Sequence, residues 1–223
     1  MSKKWFIAIM GTVTHLCLGT VYAWSFFQLP ISELSGWSNT KVAWAFSLSI
    51  FMLGATAAWG GNKIEKLGAR KLAVVGGVLY SLGYIVSAYA LRARWLWLLY
   101  LSFGIVGGLG LGLAYVVPVA VVSKWFARQQ QGLATGMVVM GFGLGALVMS
   151  KLLAPFFLQL SNHNMATTFL YIGITLLVLL PFAASFMQLP GNDNKYEEDE
   201  LAASTQKKRD LFSYILSKRF ITI

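Results

Sequence analysis

Six stretches of almost unbroken apolar residues run between positions 5 and 188, separated by short polar gaps. They fall at 5–28, 41–61, 70–90, 95–122, 132–158 and 166–188. A helix needs about 20 mostly apolar residues to cross about 30 Å of hydrocarbon, and each stretch is that long. Lipid offers no hydrogen bonds, so a crossing backbone must satisfy itself as a helix. No Asp or Glu falls inside any stretch. The pattern therefore predicts an all-α membrane protein with six transmembrane helices.

The gaps differ in character. Residues 28–40 carry Pro30, Gly36, Trp37 and Asn39 and read as a loop with an interfacial aromatic. Residues 91–94 allow only a tight turn, and Trp95, Trp97 and Tyr100 after it suit the membrane–water interface. Beyond Pro190 the chain turns polar, with mixed charge as far as Asp210, the composition of a flexible linker. Residues 211–223 are amphipathic and resemble the approach to a further span. The expected organisation is a six-helix bundle over 1–188, then a cytoplasmic linker and the start of a second half over 189–223.

Charge adds orientation. The net charge is +10, which raises the question of nucleic acid, but its placement points to lipid instead. Lys3, Lys4, Lys63, Lys66, Arg70, Lys71, Lys124 and Arg128 lie at one set of span ends, and Lys41, Arg92, Arg94 and Lys151 at the other. The excess of basic residues in cytoplasmic loops predicts that the N-terminus and the tail are cytoplasmic, in an inner or plasma membrane. Span 1 is too long for a signal-peptide core and no small-residue cleavage site follows it.

Glycine recurs at spacings that let membrane helices approach closely. Gly104, Gly107, Gly108, Gly110 and Gly112 line the fourth stretch, and Gly132/Gly136 and Gly141/Gly145 form two G-x-x-x-G pairs in the fifth. Gly107–Gly110 has a dinucleotide-like look, but it sits inside an apolar helix with no strand before it. No catalytic set and no metal site is expected. Cys17 is the only cysteine, the histidines His15 and His163 stand alone, and no Ser or Thr has a placed His–acid pair. No cofactor is implied.

Candidate chemistry is confined to polar and aromatic residues within the spans. His15 lies mid-span, where an ionisable group is a functional candidate by default. Two readings stand: a neutral imidazole bonded to a neighbouring helix, or a pore-lining and pH-sensitive group. Gly11, His15, Leu18, Gly19, Tyr22 and Phe26 share one helical stripe. Trp24 lies about 200° from Tyr22 at 100° per residue and faces another helix or lipid. Trp44 faces either a cavity or the interfacial belt.

The gap after the second stretch reads Gly61, Asn62, Lys63, Ile64, Glu65, Lys66, Leu67, Gly68, Ala69, Arg70, Lys71. It resembles the signature loop of the major facilitator superfamily. Three further segments are similar to the oxalate/formate antiporter family within it: Tyr22-Ala23-Trp24-Ser25, the Gly108/Gly110/Gly112 run ending at Tyr115, and Lys124-Trp125-Phe126 followed by Gly132–Gly136 and Gly141–Gly145. Ala127 and Ala69 stand where that family usually has Pro, Gln131 where it has Arg, and Glu65 where most members have Asp.

The resemblance implies the N-terminal half of a twelve-helix carrier of small carboxylates, with substrate near the midplane between two halves. Tyr22 and Tyr115, with His15 and Trp44 as further candidates, would shape the substrate slot. Gly61, Glu65, Gly68, Arg70 and Lys71 would form an inner latch, and Gly108, Gly110, Gly112, Gly136, Gly141 and Gly145 would serve helix packing. In that family the cations that hold carboxylates lie in the second half, and no Lys or Arg lies mid-span here. The implied partners are therefore a small carboxylate, the bilayer, and a separate or continuing C-terminal six-helix half or a second copy. A proton-coupled monocarboxylate carrier is the nearest alternative. A truncated, non-transporting interaction subunit is the other.

Overall fold

A computed structural model describes residues 2–190. The expected linker and amphipathic segment at 191–223 lie outside the described residues. Among the described residues, six helices are long and apolar enough to cross a membrane: α1 (Lys3–Ser35), α2 (Asn39–Gly61), α3 (Ala69–Arg92), α4 (Leu96–Trp125), α5 (Arg128–Leu160) and α6 (Met165–Ala184). A helical turn at Ile64–Leu67 sits between α2 and α3.

The first loop is shorter than the sequence pattern predicts. Helix α1 runs on through Pro30 and stops at Ser35, where Gly36 takes φ 74° and donates its N–H to Ser32 O at 3.0 Å. A proline inside a helix removes one intrahelical bond. An extended backbone at this depth would lose many more, so the helix continues to the glycine. Within α1, Gly19–Ala23 tightens into a 3-10 segment. Helix α6 ends at Ala184, earlier than the apolar run, and Gln188 O instead accepts a bond from Trp125 Nε1 at 2.7 Å.

Helices α1 and α4 run side by side at the centre. Helix α5 packs on α1 and α2 packs on α4, which makes one layer in the order α5, α1, α4, α2. Helices α3 and α6 lie behind that layer.

Small residues set these distances. Gly104, Gly108 and Gly112 recur every four residues on α4 and face α2. A methyl group at Gly108 would lie 2.8 Å from Ser49 O, and one at Gly104 2.9 Å from Leu48 Cβ. Gly110 faces α3 instead, where a methyl group would collide with the backbone of Tyr80 and Gly76. On α5, a methyl group at Gly141 would lie 2.6 Å from Thr12 O, and one at Gly145 would run into Leu16 O of α1. Gly132 and Gly136 differ from the packing role expected of them. A methyl group at either would meet nothing within 4 Å among the described residues. Their spacing matches the other pair, but they lie on a face of α5 that α1 does not cover.

Buried polar groups also tie the layers together. The hydroxyls of Thr20 and Tyr80 are 3.0 Å apart, and Tyr80 donates to Tyr84 at 3.5 Å. Ser87 and Ser102 join α3 to α4 at 2.8 Å. Trp24 is buried against Phe103 and Phe169, so of its two expected surroundings it has the helix rather than lipid.

Gly110→Ala is expected to destabilise the bundle by about 1–3 kcal/mol, the usual cost of overpacking. Gly136→Ala is expected to be neutral or to stabilise by up to about 1 kcal/mol, the helix-propensity difference. Thermal unfolding of the two variants in detergent checks the contrast.

Candidate functional site

The seam between α1 and α5 builds the most distinctive side-chain group in the molecule. Gly19 on α1 faces the backbone of Phe142 on α5, with Gly141 and Gly145 on either side of that contact. The missing side chains let the two helices close up, and this sets the Phe142 ring among aromatic groups from two other helices. Its centroid lies 4.9 Å from Tyr115 on α4, 5.3 Å from Tyr22 and 5.6 Å from His15 on α1. Phe46 on α2 meets Tyr22 at 6.0 Å.

His15 is fully buried. Its Nε2–H donates to the main-chain O of Tyr115 at 2.9 Å, and its ring stacks on Tyr115 with centroids 4.9 Å apart and planes inclined by 11°. The acceptor lies one turn before Pro118, which has no N–H to give to Ala114 O. The helix ladder is thus one donor short at this point, and an outside donor is accommodated beside it. Among the described residues the other ring nitrogen, Nδ1, is buried without a hydrogen-bond partner.

The tyrosines differ in exposure. Tyr22 is 45% exposed, while Tyr115 is half-buried. Trp44 is exposed on α2, and among the described residues its ring makes no part of the Phe142 stack. The structure therefore brings His15, Tyr22 and Tyr115 together and leaves Trp44 to one side. Phe142 and Phe46 are the members that pattern reading passes over. A signal existed for Phe142, the lone ring in Gly141-Phe142-Gly143-Leu144-Gly145.

A second cluster lies at the end of the bundle where the N-terminus begins. Glu65 accepts a charge-assisted bond from Lys124 Nζ at 2.7 Å, which ties the turn after α2 to the last turn of α4. Lys3 sits 5.5 Å from the Trp125 ring and Lys4 the same distance from the Phe126 ring. Lys4 also donates to Gln130 Oε1 at 3.2 Å. Gly68 takes φ 86° between the short turn and α3, a conformation that favours glycine. Gly61 ends α2, and Arg70 and Lys71 open α3, at this same end. Lys124, which pattern reading assigns to topology and to the Lys124-Trp125-Phe126 motif, is a partner of Glu65.

Among the described residues, six apolar spans in two layers carry an aromatic cluster on α1, α4 and α5 and a charged brace from the turn after α2 to the end of α4, the build of an integral membrane protein. The sequence profile of the Major Facilitator Superfamily matches residues 7–223, and the chain belongs to that family of transporters. It is 25% identical over 225 residues to an uncharacterized MFS-type transporter, YhjX, of Escherichia coli, covering 98% of this chain and 54% of that protein. It is 26% identical over 193 residues to the oxalate:formate antiporter of Oxalobacter formigenes, covering 86% of this chain and 44% of that protein. It is 31% identical over 150 residues to monocarboxylate transporter 14 of Homo sapiens, covering 67% of this chain and 29% of that protein. The chain thus spans about half, or less, of the length of these relatives.

The Glu65–Lys124 pair is water-exposed, with side chains 77% and 46% accessible. Glu65→Gln and Lys124→Gln should therefore each cost less than about 1 kcal/mol of stability. A double-mutant cycle followed by thermal unfolding checks this, and a coupling that vanishes in high salt is the expected result.

Proposed function

We propose that residues 1–188 form the N-terminal six-helix half of an alternating-access carrier for small organic anions, which exchanges one carboxylate for another in the manner of the oxalate/formate antiporters. The observation that carries this reading is the aromatic cluster of Tyr22, Tyr115, His15 and Phe142 on α1, α4 and α5. Aromatic rings carry negative faces and positive edges. Phe142 meets Tyr22 and Tyr115 edge to face, so the group offers both walls and edges to a small planar anion. Edges attract carboxylate oxygens and faces confine the carbon skeleton. The similarity to an oxalate:formate antiporter supports the substrate class.

Rings alone do not neutralise a dianion. No span among the described residues carries a mid-span Lys or Arg. The neutralising cations then come from a second six-helix half, in the same longer chain or separate, or from a second copy. Helix α2 leaves Trp44, Phe51 and Trp59 uncovered, and α5 leaves Leu133, Met140 and Leu147 uncovered. These flank the aromatic cluster and suit the surface on which such a half would rock. The basic end, with Gly61, Glu65, Gly68, Arg70, Lys71 and Lys124, takes the cytoplasmic side by its charge and acts as the inner latch.

A second reading has its own observation. The unpartnered Nδ1 of His15 gives the cluster a group that can take up a proton. Proton-coupled uptake of a monocarboxylate fits that feature, and similarity to a monocarboxylate transporter supports it.

Proteoliposomes holding the complete carrier separate the two. Exchange predicts that labelled oxalate enters only when formate or oxalate is inside. Tyr22→Ala should then slow exchange about tenfold or more, and Tyr22→Phe much less, because the ring rather than the hydroxyl makes the contacts. Proton coupling predicts uptake into empty vesicles driven by an inward proton gradient and lost in His15→Gln. Flux equal to that of protein-free vesicles under both conditions rejects transport of these anions.

A further inference from the structure

At the end opposite the Glu65–Lys124 brace, a cleft of about 410 Å³ opens between the last turn of α1, the α3–α4 turn and the α5–α6 turn. Its lining is of two kinds. Arg92 and Arg94 supply guanidinium heads and His163 an imidazole, while Leu34, Leu91 and Met165 supply the apolar part of the lining. Among the described residues neither arginine makes an ion pair. Glu33, the only acidic residue near this end among the described residues, is exposed and does not line the cleft. Met165 and Ala166 also border it, and they occupy the first turn of α6, where backbone N–H groups have no intrahelical acceptor. Asn164 Oδ1 satisfies only the amide of Thr167, at 3.0 Å.

Arg92 by itself has a local explanation. It lies in the last turn of α3, where the helix dipole favours a cation. That does not account for Arg94, which lies past the end of α3 and lines the same opening.

Depth identifies the ligand. Helix α3 has 24 residues. At about 1.5 Å per residue it spans about 36 Å. Centred on about 30 Å of hydrocarbon, it puts Arg92 about 3 Å beyond the hydrocarbon edge, at the level of lipid phosphates. Trp95 and Trp97, 56% and 74% exposed, mark the same level.

We propose that this cleft binds the phosphodiester of a membrane lipid headgroup. Arg92 and Arg94 hold the phosphate oxygens, and guanidinium forks match them well. The Leu34, Leu91 and Met165 floor takes the first carbons of the acyl chains. The site lies away from the aromatic cluster, and it stands whether or not carboxylate exchange does.

Native mass spectrometry of the 223-residue chain in mild detergent, titrated with phosphatidylglycerol, tests it. The Arg92→Gln/Arg94→Gln protein should retain the lipid about tenfold more weakly, as expected for loss of charge-assisted bonds. A Lys63→Gln/Lys66→Gln protein, with the same charge change at the other end, should match the wild type. Equal retention by all three proteins, or equal loss in both variants, would overturn the site. Displacement of the lipid by equimolar inorganic phosphate would overturn the lipid as its source and assign the cleft to a free anion. Circular dichroism confirms the fold, and if the double variant does not fold, Arg94→Gln alone carries the same comparison.

Discussion

The contact on which the rest of this molecule depends is the approach of α5 to α1 without side chains between them. Gly19, Gly141 and Gly145 leave backbone facing backbone along that seam. Helices in lipid gain little from hydrophobic segregation, so close van der Waals packing must supply the attraction. The same closeness sets the position of Phe142. Its ring reaches His15, Tyr22 and Tyr115 because the helix carrying it sits one side-chain layer nearer to α1 than a Leu- or Val-lined contact would allow. Packing and candidate chemistry are therefore one feature here. A bulkier residue at Gly145 would do more than strain the bundle; it would withdraw the ring at the centre of the cluster.

Helix α4 extends this arrangement to the other side. Glycines every four residues seat it on α2, and Gly110, about half a turn out of that register, seats it on α3. Pro118 then leaves the α4 ladder short of a donor next to the carbonyl that receives His15. A buried imidazole thus gains a neutral acceptor instead of a charged partner, in a region where charge is costly. The two ends of the bundle carry charge differently. One is braced by Glu65 and Lys124, and the other holds two arginines that no carboxylate among the described residues offsets.

Much of this was legible in the sequence. Span number and the class of fold follow from length and hydropathy, since lipid permits few alternatives. His15 and Tyr22 sit seven residues apart on one helix, so their shared stripe was legible too. What pattern alone did not carry is the choice of neighbour. Gly132/Gly136 and Gly141/Gly145 have identical spacing, yet only the second pair lies against α1. Spacing says that a face is smooth and not what covers it. Phe142 was passed over for the same reason, because its role comes from a contact made by the glycines beside it. Helix α1 continues past Pro30, a strong local stop signal, because the need to satisfy backbone groups outweighs it.

The central claim is that the aromatic cluster faces a water-filled route and not lipid. The chain has one cysteine, Cys17, which is 4% exposed and is replaced first by serine. Single cysteines at Tyr22 and Trp24 are then offered a charged, membrane-impermeant thiosulfonate in unsealed membranes. The account predicts rapid labelling at position 22 and protection at position 24, whose native tryptophan is 2% exposed. Labelling of position 22 by a lipid-soluble maleimide but not by the charged reagent would contradict it, placing Tyr22 against lipid and removing the cluster from any transport path.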